Sequence, residues 1–192
     1  MLGRITVGLA IVIVLTTARW SFATDDRDDN PFAKGTWNFS LSSSYATHIR
    51  FSQAHVYNVT ASVGKYLWDN HSINLELQGY YGEQPDDTDV LIGGIGLLGR
   101  FHLMRFDRWS VFFDGGGGVT FADDPFPTYP YEGTHFNFTG KVGLGASYQL
   151  HDHQFLTGGV RYFHLSNGKI HGRDQNPTYD GIQLWGGLMW TW

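Results

Sequence analysis

The stretch Ile73-Asn74-Leu75-Glu76-Leu77-Gln78-Gly79-Tyr80-Tyr81 decides the fold. Ile73, Leu75, Leu77 and Tyr81 alternate with Asn74, Glu76 and Gln78, and a period of two marks a strand with one apolar and one polar face. The pattern recurs from Gly35 onward, with turn residues between segments. Trp37, Phe39 and Leu41 oppose Asn38, Ser40 and Ser42; Tyr57, Val59, Ala61 and Val63 oppose Asn58, Thr60 and Ser62. Val90 to Leu98 is apolar on both faces, and Arg100 and His102 identify its polar side. Trp109, Val111, Phe113, Val119 and Phe121 then oppose Ser110, Asp114 and Thr120. Phe136, Phe138, Val142, Leu144 and Tyr148 oppose Asn137, Thr139, Lys141 and Gln149. A seventh segment carries Val160 to Ser166, and an eighth runs from Asp180 to Trp192.

Eight such segments suit either a soluble sandwich or lipocalin-like barrel with the apolar face inward, or a membrane barrel with that face outward. Large aromatics cluster near the segment ends on the apolar face, as in the girdles of membrane barrels. Glu76, Arg100, Asp114, Lys141 and Arg161 share the other face, where they suit an interior network. Trp190-Thr191-Trp192 closes the last segment on an aromatic, which resembles the assembly signal of outer-membrane barrels. With no cysteine to staple an exported fold, a sheet closed on itself supplies the cohesion. The expectation is an all-β, eight-stranded, antiparallel up-and-down transmembrane β-barrel over residues 35–192. The mean hydropathy of −0.24 is no objection, because only alternate positions need be apolar.

The N-terminus reads as a signal peptide over residues 1–23, with Arg4 ahead of the apolar run Ile5 to Leu15 and a small-x-small cleavage pattern at Ser21-Phe22-Ala23. Residues 24–34 read as a short polar segment. After the signal peptide the chain carries 11 basic against 18 acidic residues, which offers no footprint for nucleic acid. Connections alternate in length. Trp68 to Asn70, Leu103 to Arg108 and Leu150 to His153 are short; Ala46 to Ala54, Gly82 to Asp89, Ala122 to Thr134 and Asn167 to Tyr179 are longer and polar. Short periplasmic turns and long external loops fit this rhythm, so the seventh segment is expected to end at the extracellular rim.

That segment is Val160-Arg161-Tyr162-Phe163-His164-Leu165-Ser166-Asn167. His164 and Ser166 fall on its apolar face with Val160 and Tyr162, and positions two apart are separated by roughly 6.6 Å, within reach of an imidazole and a hydroxyl. A base beside a nucleophile on a lipid-facing surface suggests chemistry on a lipid.

Phe163-His164-Leu165-Ser166-Asn167-Gly168, followed by a polar loop with Asn176-Pro177 and a short last strand, resembles the lipid A 3-O-deacylases of the PagL type. The specific motif covers only the last thirty or so residues, whereas the barrel plan is shared across the chain. The resemblance implies an outer-membrane esterase of a Gram-negative bacterium that removes the 3-linked hydroxyacyl chain of lipid A, the anchor of lipopolysaccharide. It implies Ser166 as nucleophile, His164 as general base and Asn167 as a contributor to the oxyanion hole. It implies no cofactor and no metal, and a homodimer is compatible with it.

The third triad member departs from one family pattern, in which Asp-Gly-Ile is followed by glutamate: here Asp180-Gly181-Ile182 is followed by Gln183. Asp180 shares the lipid-facing side with Ile182, Leu184, Leu188, Trp190 and Trp192, whereas Gln183 points inward unless a bulge intervenes. Asp180 is therefore the expected acid and Gln183 the alternative position. Lys169, His171 and Arg173 in the last loop are candidate partners for lipid A phosphates, and equally suit a solvated loop. His151 and His153 read as turn residues, and Gly115 to Gly118 as close packing or a bend. A catalytically silent structural or adhesive barrel and an outer-membrane acyltransferase remain the competing functions.

Overall fold

The computed structural model describes residues 30–51, 53–85, 88–128, 133–170, 172, 176 and 178–192, with Arg50 and Phe51 described in backbone only. The proposed signal peptide lies outside the described residues. Eight strands follow one another: β1 (Trp37–Phe51), β2 (His55–Trp68), β3 (His71–Glu83), β4 (Asp89–Arg105), β5 (Trp109–Phe126), β6 (Thr134–His151), β7 (Gln154–Ser166) and β8 (Tyr179–Thr191). Each pairs antiparallel with the next, and β1 pairs with β8, so the sheet is a closed up-and-down barrel. Closure leaves no sheet edge to satisfy, and this replaces the missing disulfides.

The barrel is apolar outside and polar within. On β3, Leu75 and Leu77 are exposed while Asn74, Glu76 and Gln78 are buried, as the alternation requires. A polar ladder fills the middle of the interior. Lys141 Nζ lies 2.7 Å from Glu76 Oε2. Arg100 meets Asp114 through two nitrogens at 2.9 and 3.0 Å, and Arg161 binds the same carboxylate. Both guanidinium groups also stack on aromatic faces, Arg161 on Trp185 and Arg100 on Phe112, each at 4.0 Å.

The two ends of the interior are closed differently. At the end carrying the short turns, Phe32 enters the barrel and stacks on His102 at 3.9 Å, against Tyr66 and Phe155. The segment read as simply polar thus supplies an apolar plug, held by the Asn70 N–H donating to Phe32 O at 2.8 Å. At the other end Val56, Tyr80, Val90, Ile92, Phe126, Phe163, Leu165 and Tyr179 form a buried apolar cluster. This cluster explains why the start of the Val90 to Leu98 segment is apolar on both faces: the inward Val90 and Ile92 meet a greasy interior.

Two connections are shorter than expected. Ala46 to Phe51 continues β1, and Ala122 to Phe126 continues β5. Beyond Thr47 the pairing of β1 with β2 has ended, and Arg50 and Phe51 pair with Asp180 and Tyr179 of β8 after a bulge at His48 to Arg50. The glycine run on β5 is a matter of close packing. A Cβ on Gly116 or Gly118 would fall 2.2 Å from a carbonyl oxygen of β4, closer than any side chain tolerates.

Candidate active site

The candidate site is built on the β7–β8 strand pair, on the outer face and at the end carrying the long connections. Leu156, Val160 and Tyr162 expose their side chains along β7, and His164 and Ser166 continue that face. The inner positions between them, Phe163 and Leu165, are fully buried in the apolar cluster with Tyr179 of β8. The wall that presents the polar side chains is thus backed by a packed core, which fixes their backbone.

Register brings the third group in. His164 is the direct cross-strand partner of Asp180, and directly opposed side chains on one face lie close enough to interact. His164 Nδ1 is 2.7 Å from Asp180 Oδ1, and His164 Nε2 is 2.9 Å from Ser166 Oγ. A carboxylate only accepts, so a neutral imidazole that satisfies both contacts carries its proton on Nδ1 and accepts the seryl proton at Nε2. This is the order of groups a serine hydrolase needs: nucleophile, base, orienting acid. Ser166 is 7 % exposed and Asp180 9 %, while the His164 side chain is 37 % exposed. The imidazole is the accessible member.

Tyr162 joins the same chain, its hydroxyl donating to Asp180 Oδ1, the oxygen that also receives His164 Nδ1. In the sequence Tyr162 reads as one more residue of the apolar face. Its place two positions before His164 on one face was the signal that could have singled it out.

On the other side of His164 stands Gly140 of β6, its cross-strand partner. A Cβ there would meet nothing nearer than His164 Cβ at 4.0 Å, so the face of the imidazole toward β6 opens onto a notch. Phe138, paired with Ser166, borders that notch.

Asn167 turns away from this face and is 1 % exposed. Its backbone N–H donates to Asn176 Oδ1 at 3.0 Å, and its own Oδ1 accepts from the Lys169 N–H at 2.8 Å. It therefore shapes the turn after the nucleophile, with Gly168 and Lys169 both at positive φ. Lys169 is exposed in that turn. His171, Arg173 and Pro177 lie outside the described residues. Gln183 sits on the opposite face of β8 from Asp180, 1 % exposed, with its Nε2 donating to Ser44 Oγ at 2.8 Å. No bulge on β8 redirects it toward His164. Among the described residues, no group of three or more metal-binding side chains is assembled.

Comparison with known proteins adds the family. The sequence model of the lipid A 3-O-deacylase (PagL) family matches residues 19–187. No curated protein matches the chain in sequence. Among solved structures, the barrel is similar to Neisserial surface protein A, with a TM-score of 0.62 and 16% identity over 83% of this chain and 100% of that one. It is also similar to the outer membrane protein OprG from Pseudomonas aeruginosa, at a TM-score of 0.56 and 12% identity over 85% and 99% of the two chains. The outer membrane protein AlkL, solved in lipid bilayers, gives 0.50 and 13% identity over 91% and 97%. At such identities the likeness is one of fold.

Proposed function

The chain belongs to the lipid A 3-O-deacylase (PagL) family, and from that membership we propose that it is an outer-membrane ester hydrolase that removes the 3-O-linked hydroxyacyl chain of lipid A with Ser166, His164 and Asp180. The observation that carries this is the hydrogen-bonded chain Ser166–His164–Asp180 on the outer, lipid-facing side of the barrel wall. An aqueous enzyme would have no use for a triad turned toward hydrocarbon; an enzyme whose ester bond lies at the membrane boundary requires it. The long connections then lie outside the cell, so that the site faces the outer leaflet, where lipopolysaccharide resides.

In this mechanism Ser166 Oγ attacks the ester carbonyl as His164 Nε2 takes the hydroxyl proton. The tetrahedral oxyanion needs N–H donors beside Ser166; Asn167, which the family resemblance casts in that role, is turned into the following turn and must swing toward Ser166 to donate. His164 returns its proton to the departing sugar hydroxyl, leaving an acyl-serine. Water, deprotonated by the same nitrogen, then releases the free 3-hydroxy fatty acid and restores Ser166. Asp180 accepts from Nδ1 throughout and favours the imidazolium that forms at each step. Lys169, and His171 and Arg173 after it in sequence, are the cationic candidates for meeting lipid A phosphates.

The reaction is tested by incubating the refolded protein with hexa-acylated lipid A in detergent and identifying both products by tandem mass spectrometry. Hydrolysis at the 3-position yields one equivalent of free 3-hydroxy fatty acid and a lipid A lacking that chain. Recovery of the acyl group on a second lipid would make the protein an acyltransferase, and loss from another position would refute the regiochemistry.

A further inference from the structure

Tyr162 lies on the outer face of β7 two residues before His164, and its own cross-strand partner on β8 is Ile182. Asp180 is thus its diagonal neighbour, at a separation that a long aromatic side chain can span. Tyr162 is 38 % exposed on the outer face while its hydroxyl turns to Asp180 Oδ1. A tyrosine at a membrane boundary ordinarily directs its hydroxyl to water or headgroups. Here the hydroxyl is committed to a carboxylate instead.

We propose that Tyr162 is a positioning residue of the reaction: it holds the Asp180 carboxylate, and through it the imidazole of His164, in the reactive geometry. This rests on the reading of Ser166, His164 and Asp180 as a triad. Two donors converge on one oxygen of Asp180, the phenol from below and Nδ1–H from across the strand pair. A carboxylate oxygen accepts two such bonds, and together they define the rotation of the carboxylate plane. At a boundary where water is scarce, these two donors supply the hydrogen bonds that solvent would otherwise give the carboxylate.

The test is a double-mutant cycle on the full barrel, with two readouts. One is kcat and KM for lipid A; the other is the rate at which an alkyl fluorophosphonate labels Ser166, which needs no lipid substrate. Tyr162→Phe keeps the ring and removes only the donor. It is expected to lower kcat and the labelling rate by about ten- to a hundredfold with KM little changed, the worth of one hydrogen bond to a charged group. In an Asp180→Ala background the same change should have no further effect, because the bond it removes is already absent. Wild-type rates for Tyr162→Phe, or an equal loss in both backgrounds, would overturn the proposal and reduce Tyr162 to packing. Wild-type protein that the probe leaves unlabelled, or Ser166→Ala that retains activity, would instead sink the triad on which the proposal rests.

Discussion

Asp180 faces His164 directly across the β7–β8 strand pair, its Oδ1 2.7 Å from the imidazole Nδ1. The contact is set by strand register alone, with no loop involved, and a one-residue slip of β8 would turn the carboxylate into the barrel. If this carboxylate stabilises the imidazolium, Asp180→Ala should lower the deacylation rate by about ten-thousandfold while leaving the barrel folded. Release of free 3-hydroxy fatty acid measures the rate, and a gel shift on boiling reports the folded barrel.

Gln183 gives the complementary prediction. It lies inside the barrel beside its cross-strand partner Arg161. A carboxylate at 183 would meet that guanidinium and remain on the wrong side of the wall from His164. Gln183→Glu should therefore bring no gain in activity, and should not rescue Asp180→Ala. A marked gain in either background would show that β8 shifts its register in the working enzyme.

The interior network should govern stability rather than chemistry. Asp114 is 1 % exposed and is the shared partner of Arg100 and Arg161. Asp114→Ala leaves two buried guanidinium groups without their counter-charge, at a cost of about 3–5 kcal/mol. Urea unfolding of the refolded protein in detergent should show that loss, with triad activity per folded molecule unchanged.

The Phe32 plug predicts a similar separation. Stacked on His102 and packed on Tyr66 and Phe155, it closes the end of the barrel far from the triad. Phe32→Ala should cost about 3 kcal/mol, at the lower end for a buried aromatic because the site borders solvent. A thermal melt in detergent tests this: a barrel as stable as the parent would show that residues 30–34 are a passive leader.

The strands and their faces were legible because a closed membrane barrel enforces the period-two pattern on nearly every residue, as Ile73 to Tyr81 illustrates. The pattern loses its meaning where the wall leaves hydrocarbon. Thr47 to Phe51 therefore read as a loop, although β1 continues there along β8. Phe32 was missed for a related reason, since one aromatic in a polar segment has no period to declare its side. At the site, parity alone separated Asp180 from Gln183. Tyr162 escaped notice because an outward tyrosine near a strand end is what a girdle contains, and only the direction of its hydroxyl distinguishes it.

On the proposed function, Ser166, activated by His164, removes an acyl chain from lipid A. Mass spectrometry of lipid A from cells expressing the wild-type chain, Ser166→Ala or His164→Ala, each at equal levels of folded barrel, tests it most directly. Wild-type cells should accumulate lipid A lighter by one 3-hydroxyacyl group, and both variants should leave lipid A intact. Lipid A unchanged by the wild-type chain, or still shortened by Ser166→Ala, would contradict it.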